Sequence, residues 1–121
     1  MPDEKLLHRE FKSFEKTKEE ILLIQPFRKG SITKRWMTCG NLRCKCRKEK
    51  RNKHGPYYWW TTKEKGKTRA ILLPKELLAE ARAYIKNYKL LQRKIDRLSK
   101  LSERIIMKKV ENFRKSLKHK A

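Results

Sequence analysis

The chain has 121 residues, which is enough for one domain of ordinary size. It carries 35 Lys and Arg against 13 Asp and Glu, a formal net charge of +22, and only 37% of its residues are hydrophobic. This charge opposes compact folding of the isolated chain and predicts a polyanionic partner. Its uncharged aliphatic runs, such as residues 21–24 and 70–73, are far shorter than the roughly 18 to 20 residues that span a bilayer. The N-terminus also lacks the basic-then-apolar order of a signal peptide, so we expect a cytoplasmic protein that does not contact membranes.

The first region, residues 1–26, is nearly neutral and predicts an amphipathic helix. Leu7, Phe11, Phe14 and Ile21 recur at three-to-four-residue intervals, interrupted by Lys18, with acidic and basic residues between them. We expect the helix to end before Pro26, because the residue before a proline is pushed out of the helical conformation.

The second region, residues 27–74, changes to the composition of β-strands. Three segments are rich in β-branched and aromatic residues: 31–38, 57–62 and 68–73. The last two predict a hairpin around residues 63–67, in which Gly66 supplies the turn. Alternation along the strand places Tyr57 and Trp59 on one face and Tyr58 and Trp60 on the other. We therefore expect both faces of the sheet to be covered or bound.

The third region, residues 75–121, lacks glycine and proline and predicts a long basic helix beginning near Pro74. Apolar residues form a heptad-like stripe, and beyond it the apolar positions shift phase, which predicts a stutter or a break near residues 99–102. The stripe indicates a homodimer or a partner helix that packs on Leu77, Ala81, Tyr84, Tyr88, Leu91, Ile95 and Leu98. The predicted fold is α+β: a small antiparallel sheet of about three strands with a zinc-knuckle-like loop, an N-terminal helix and a long C-terminal helix, forming one domain overall.

Three cysteines and a histidine lie within sixteen residues, at Cys39, Cys44, Cys46 and His54. Three thiolates and an imidazole form an accepted tetrahedral set for structural zinc, and the adjacent basic residues favour the thiolate form. Zinc would also add folding free energy to a chain with strong self-repulsion. Free cysteines in a basic loop, or a redox or iron–sulfur role, are the alternatives. The odd number of cysteines argues against a disulfide framework and favours a reducing compartment.

Several motifs in order give the chain a resemblance to a known group of proteins. The motifs are GSITKRWMTCG, Cys44-x-Cys46, His54-Gly55-Pro56-Tyr57-Tyr58, Gly66-Lys67-Thr68-Arg69, Pro74-Lys75-Glu76-Leu77 and Asn87-Tyr88. Together they resemble a family of uncharacterised archaeal and bacterial proteins over roughly residues 29–103. The resemblance implies that the cysteines and His54 form one module with the hairpin, and it implies no particular activity.

The loop that contains the cysteines is strongly basic, with seven Lys and Arg and one acidic residue between positions 43 and 53. Such a loop can neutralise phosphates and release their counterions, so it predicts salt-dependent nucleic-acid binding. The candidate contacts are Arg43, Lys45, Arg47, Lys48, Lys50, Arg51 and Lys53 in the loop and Lys63, Lys65, Lys67 and Arg69 in the hairpin.

The expected partner is structured RNA, including ribosomal RNA in a ribosomal or ribosome-associated protein, or duplex DNA. One alternative is a DNA-binding regulator or mobile-element protein that dimerises through its C-terminal helix. Another is a helical interaction module that binds no nucleic acid. The aromatic residues of the sheet either stack on unpaired bases or form the core of the domain.

Catalytic motifs are not evident, and we expect no enzymatic activity. The sequence offers no Ser/His/Asp arrangement and no paired carboxylates at a recognisable spacing. Gly66-Lys67-Thr68 lacks the upstream glycine of a phosphate-binding Walker motif.

Overall fold

The structure, a computed structural model, describes residues 2–49 and 52–120. It contains helix α1 (Pro2–Leu22), strands β1 (Ser31–Met37), β2 (His54–Glu64) and β3 (Lys67–Leu73), and helix α2 (Leu78–Lys120). Short 3-10 turns occur at Lys45–Arg47 and Lys75–Leu77. The predicted α+β fold is confirmed. The chain forms two compact units, one of residues 26–88 and one that combines residues up to 25 with residues from 89 onward.

The first unit contains a three-stranded antiparallel sheet in the order β1-β2-β3. The turn between β2 and β3 consists of Lys65 and Gly66, which have φ angles of 50° and 78° and lie between the paired residues Glu64 and Lys67. Two consecutive residues with positive φ match the twist of a tight hairpin, and glycine adopts that conformation without a steric penalty. The predicted hairpin is confirmed, with a turn shorter than the five residues expected.

One face of the sheet packs against the beginning of α2. Trp60 is buried on this face, its ring centroid lies 6.3 Å from that of Tyr84, and the Arg28 guanidinium lies 5.1 Å from the Trp60 ring centroid. The Trp60 indole N–H donates to the Lys29 carbonyl oxygen at 3.0 Å. Thr62 follows on the same face and is also buried. The aromatic run therefore divides between two faces as its alternation predicts, and this face forms a core.

The second unit pairs α1 with the later part of α2 in antiparallel orientation. Arg97 Nε donates to the buried Thr17 hydroxyl at 3.3 Å, Lys94 forms an ion pair with Glu20, and Lys108 lies 3.2 Å from Glu10. Residues later in α1 contact residues earlier in α2, so the two helices are antiparallel. Helix α1 ends at Leu22, ahead of Pro26, as expected.

Helix α2 is continuous through residues 99–102, where the sequence indicated a stutter or a break. Ser102 donates its hydroxyl to the Leu98 carbonyl oxygen at 2.9 Å, so its side chain bonds within the helix. No helix in the described part of the chain is long and apolar enough to cross a membrane.

The predicted dimerisation stripe, which begins at Leu77 just before α2 and continues along α2, is partly used within the chain. Ala81 is buried, and Tyr84 and Tyr88 contact Trp60 and Phe27, with a centroid distance of 6.2 Å in the second pair. Other stripe residues are more open, with exposed fractions of 47% at Leu77 and 51% at Ile95. Contact with a second copy remains a prediction.

Candidate metal centre

The loop between β1 and β2 brings together the ligand atoms of Cys39, Cys44, Cys46 and His54, all within 4.8 Å of one another. The sulfur atoms of Cys39 and Cys46 lie 3.7 Å apart, and Cys44 Sγ lies 3.3 Å from His54 Nε2. Two sulfurs bound at 2.3 Å to a tetrahedral ion lie about 3.8 Å apart, and a sulfur and a nitrogen about 3.6 Å apart. The two measured distances are close to the edges of such a tetrahedron, so the four residues can hold a metal ion.

Three elements position these ligands. Cys39 follows the end of β1, Cys44 and Cys46 lie at and within the Lys45–Arg47 turn, and His54 is the first residue of β2. Because β1 and β2 are paired, with Met37 opposite His54, the sheet itself brings the two ends of the loop together. The ligand set therefore depends on strand register as well as on loop conformation.

Asn41 shapes the loop between the first two cysteines. Its side-chain oxygen accepts the Arg43 backbone N–H at 3.0 Å, and its carbonyl oxygen accepts the Cys44 backbone N–H at 3.1 Å. An asparagine side chain that accepts from the backbone two residues later mimics a turn. This turn directs the chain from Cys39 back toward Cys44.

Gly55 allows β2 to approach β1 beside the histidine. Its φ angle is 138°, and an added Cβ atom would lie 2.9 Å from the Arg35 carbonyl oxygen and 3.2 Å from Trp36 Cα. Those distances are too short for a side chain in this conformation. The glycine therefore lets the backbone on either side of His54 pack closely against β1.

The surroundings of Cys44 and Cys46 shift their pKa values in opposite directions. The backbone N–H of Cys46, followed by hydrogen bonds from His54 and from the thiols of Cys46 and Cys39, lowers the pKa of Cys44 from 9.0 to about 6. For Cys46, the backbone N–H of Cys39 lowers the pKa, but burial and the neighbouring thiols outweigh it and raise the pKa overall. Cys44 therefore ionises at a lower pH than Cys46, and a thiolate is the form that binds metal.

The predicted loop cations that the structure describes are all exposed: Arg43, Lys45, Arg47, Lys48 and Lys53. The Arg47 guanidinium also donates to the Cys39 carbonyl oxygen at 2.9 Å and so supports the cluster. Lys50 and Arg51 lie outside the described residues. The loop thus holds at least five exposed cations next to the candidate metal ligands.

The predicted hairpin cations lie at the far end of β2 and β3. Lys63, Lys65 and Lys67 are exposed around the turn, and Arg69 forms an ion pair with Glu64 at 3.1 Å. The separation along β2 is ten residues from His54 to Glu64, or roughly 33 Å at 3.3 Å per residue. The structure therefore places the two predicted cationic groups at opposite ends of one strand.

Sequence reasoning missed two residues that build this site. Asn41 could have been found from the preference of asparagine for turns, and Gly55 from its position between the histidine and Pro56. Arg47 was expected as a phosphate contact and as one of the basic residues that favour the thiolates, but its bond to the Cys39 carbonyl oxygen had no sequence signal. Each of these interactions joins residues whose proximity depends on the folded loop.

Comparisons with known proteins identify a family. No curated protein and no solved structure shows significant similarity to the chain. A family model described as a domain of unknown function, DUF6788, matches residues 7–83, which include most of α1, the metal-centre loop and the whole sheet. The chain therefore belongs to the DUF6788 family, whose members carry a domain of unknown function.

Proposed function

We propose that this protein is a zinc-stabilised nucleic-acid-binding protein that contacts the phosphate backbone through its basic loop and hairpin. One observation carries the proposal: a Cys3His cluster lies in a loop whose described cations are exposed and far outnumber its single acidic residue, Glu49. A fixed array of cations is what a polyanionic backbone requires for tight, salt-sensitive binding.

Zinc is the metal that suits this ligand set best. Iron–sulfur clusters are usually held by four cysteine thiolates, whereas a tetrahedral Cys3His set is a recognised structural zinc site. Zinc with three thiolates and a neutral imidazole carries a net charge of −1. The cations at Arg43, Lys45 and Arg47 offset that charge in the loop.

The charge balance around the sheet supports a phosphate partner. Residues 25–73 carry fifteen Lys and Arg and two Asp and Glu. One of those acids, Glu64, is already shared by Arg28 at 3.9 Å and Arg69 at 3.1 Å. Arg43, Lys45 and Lys53 form no ion pair with any residue that the structure describes. An external anion is the natural counterpart for these side chains.

We propose structured RNA, including ribosomal RNA, as the leading target and duplex DNA as the alternative. Neither target requires a base-reading helix in the major groove, because phosphate contacts alone position a protein on a backbone. We place the protein in the cytoplasm, because free thiols and thiolate metal sites persist in reducing compartments.

Fluorescence anisotropy with a labelled RNA hairpin and a labelled DNA duplex, titrated at 50 to 200 mM salt, tests the proposal. The variant Arg43→Gln, Lys45→Gln, Lys48→Gln, Lys53→Gln removes four exposed loop cations. For duplex DNA the slope of log affinity against log salt should become shallower by up to about 4, since each phosphate contact contributes about 0.9.

A matched control removes the same charge from the nearly neutral N-terminal helix, with Arg9, Lys12, Lys16 and Lys18 changed to Gln. All four side chains are exposed on α1. We expect the control to retain most of the salt slope. An equal loss in both variants would indicate that only net charge matters, and absence of binding to RNA and DNA at 50 mM salt would refute the proposal. Co-migration with ribosomal subunits on a sucrose gradient after a high-salt wash would identify ribosomal RNA as the target.

Dimerisation through α2 is the second candidate, favoured by its exposed apolar side chains. Ile106, Phe113 and Leu117 have exposed fractions of 56%, 63% and 52%, and they help to line a groove of about 510 Å³. Sedimentation equilibrium of the free protein tests it, and a monomer at every concentration would exclude it.

A further inference from the structure

The sheet has a second face that the beginning of α2 does not cover. Residues paired across antiparallel strands point to the same side, so the register assigns this face residue by residue. Along the central strand it carries Tyr57, Trp59, Thr61 and Lys63. Their neighbours on β1 and β3, from the register, are Arg35, Thr33, Ser31, Leu72, Ala70 and Thr68. We call this surface the open face.

The open face is aromatic at one end and polar at the other. Tyr57 and Leu72 have exposed fractions of 38% and 49%, and beside them lies a cavity of about 320 Å³ that also contacts Pro56 and Lys75. Two positions beyond Trp59, a cavity of about 440 Å³ is lined by residues that include Lys29, Ser31, Thr61, Lys63 and Thr68. Along β2, the open face therefore presents two aromatic rings (Tyr57 and Trp59), then a hydroxyl group (Thr61), then a cation (Lys63).

The charge of the open face has one sign. Arg35 and Lys63 lie on it, Lys29 borders it, and none of its strand positions holds Asp or Glu. A protein partner would need an acidic and apolar surface to match, whereas unpaired nucleotides supply stacking rings and phosphates together. The positive charge and the aromatic rings of the open face therefore both favour a nucleic-acid strand as its ligand.

The hydrogen-bond donor of Trp59 is not exposed on the open face. Its indole nitrogen is buried and has no hydrogen-bond partner among the described residues, although the residue as a whole is partly exposed. A ring that offers carbon surface alone stacks on any base without reading its edge. Recognition on this face should therefore tolerate different sequences.

We propose that the open face binds a single-stranded RNA segment, with bases stacked on Tyr57 and Trp59 and the ribose-phosphate backbone held between Lys29 and Lys63. This inference rests on the proposed nucleic-acid-binding function and names the form of the target at a site separate from the metal-centre loop. Successive same-face residues on a strand lie about 6.6 Å apart, which allows the two rings to serve adjacent bases of an extended strand.

The hydroxyl groups favour RNA over DNA. Ser31 Oγ and Thr61 Oγ1 lie 3.2 Å apart at the wall of the larger cavity, and Thr68 lines the same cavity. A hydroxyl both donates and accepts, as the ribose 2′-hydroxyl does, and that group distinguishes RNA from DNA. The cavity thus offers matching partners for ribose next to two lysines.

The test measures binding of the full-length, zinc-loaded protein to fluorescein-labelled oligo(U), oligo(dT) and a blunt RNA duplex. The variants Tyr57→Ala and Trp59→Leu should each weaken oligo(U) binding on the order of 5- to 150-fold, the range for loss of one base–aromatic stack. Both should leave duplex binding unchanged. Tyr57→Phe keeps the ring and should bind like the original protein.

A control on another part of the chain is Phe11→Ala, which removes a ring of 46% exposure from α1 and should leave oligo(U) binding unchanged. Melting curves identify any variant that fails to fold, and Tyr57→Ala, at an exposed position, keeps the test valid if Trp59→Leu does not fold.

Unchanged oligo(U) affinity in a folded Tyr57→Ala, or an equal loss for the duplex, overturns the open-face site. Equal affinity for oligo(dT) and oligo(U) overturns the assignment to RNA. Duplex binding that depends on the loop cations but not on the rings would leave the proposed function intact and reject this inference alone.

Discussion

His54 is the most exposed of the four candidate metal ligands, and it is the one that begins a strand. Its Nε2 atom lies 3.3 Å from Cys44 Sγ, so it joins the cysteine-containing loop to the sheet. Removing this ligand would leave three thiolates without the imidazole that completes a tetrahedral site. The residue therefore tests whether the cluster is a metal centre or a group of free thiols.

We expect His54→Ala to lower zinc affinity by at least about tenfold and to lower the melting temperature, because metal binding supplies folding free energy. His8→Ala is the matched control, since His8 is an exposed histidine on α1. Zinc content is measured by native mass spectrometry and affinity by competition with a chelator. Equal zinc retention in both variants would contradict the fourth-ligand assignment.

In the metal-free protein, Cys44 should react with alkylating agents at lower pH than Cys46 does. Its pKa is lowered to about 6, so the thiolate is the majority form above that pH and disappears as the pH falls below it. The alkylation rate of Cys44 by iodoacetamide should therefore rise through a midpoint near pH 6, whereas Cys46, whose pKa is raised, should react only at much higher pH. Peptide mass spectrometry over pH 4 to 10 gives both curves, and coincident curves would disprove the distinction. Zinc should protect all three cysteines.

Much of the site was predictable at the residue level, because ligand types and spacing follow from chemistry. The sequence identified Cys39, Cys44, Cys46 and His54, and the structure brings their ligand atoms together. It could not predict the bond from Arg47 to the Cys39 carbonyl oxygen, since any exposed arginine in a basic loop looks equivalent in sequence. The ion restricts which residue types can serve as metal ligands, so these residues are recognisable in the sequence. A hydrogen bond such as that from Arg47 to Cys39 depends only on the conformation of the folded loop.

At the level of elements, the approach of β2 to β1 depends on Gly55. An alanine Cβ at this position would lie 2.9 Å from the Arg35 carbonyl oxygen, and the φ angle of 138° disfavours any side chain. We expect Gly55→Ala to lower the free energy of unfolding by about 1 to 3 kcal/mol and to weaken zinc binding, because the strain acts next to His54.

The loop provides its own control for this substitution. Gly40 is adjacent to Cys39, its φ angle is not positive, and an added Cβ would have no neighbour within 4 Å. Gly40→Ala should therefore change stability by less than about 0.5 kcal/mol. Denaturant unfolding of the two zinc-loaded variants measures the difference, and similar values would show that the close approach at Gly55 is not required.

Composition and periodicity predicted each strand and helix, but not all of their bounds or partners. Strand β2 begins at His54, three residues before the predicted start at Tyr57. The prediction missed these residues because Gly55 and Pro56 have low strand propensity. The phase shift along α2 suggested a stutter or a break. The helix is continuous, which excludes the break, and its partners change along its length. Tyr84 packs on the sheet, whereas Arg97 and Lys108 contact α1. A change of partner alters the apolar pattern of a helix without interrupting its backbone, and partners are not visible in sequence.

At the level of the whole molecule, the net charge of +22 predicts that added salt raises the stability of the free protein and lowers its affinity for nucleic acid. In the free protein, salt screens the repulsion among exposed cations, most completely between those more than about 10 Å apart at 0.1 M salt. In a complex with nucleic acid, the same salt weakens attraction to phosphates and reduces counterion release. The two effects have opposite signs, so one experiment can separate them.

We predict that the melting temperature of the free, zinc-loaded protein rises between 50 and 500 mM NaCl, because screening relieves its self-repulsion. With saturating RNA at 50 mM NaCl the melting temperature should exceed that of the free protein, since a ligand that binds only the folded state stabilises it. That difference should shrink as salt increases, until the curves converge. Differential scanning calorimetry measures both curves, and an uncharged polymer at equal mass serves as the control for crowding. A free-protein melting temperature that falls with salt would mean that local ion pairs such as Lys108 with Glu10 outweigh the net repulsion, and the cationic excess would then not be what limits the stability of the free chain.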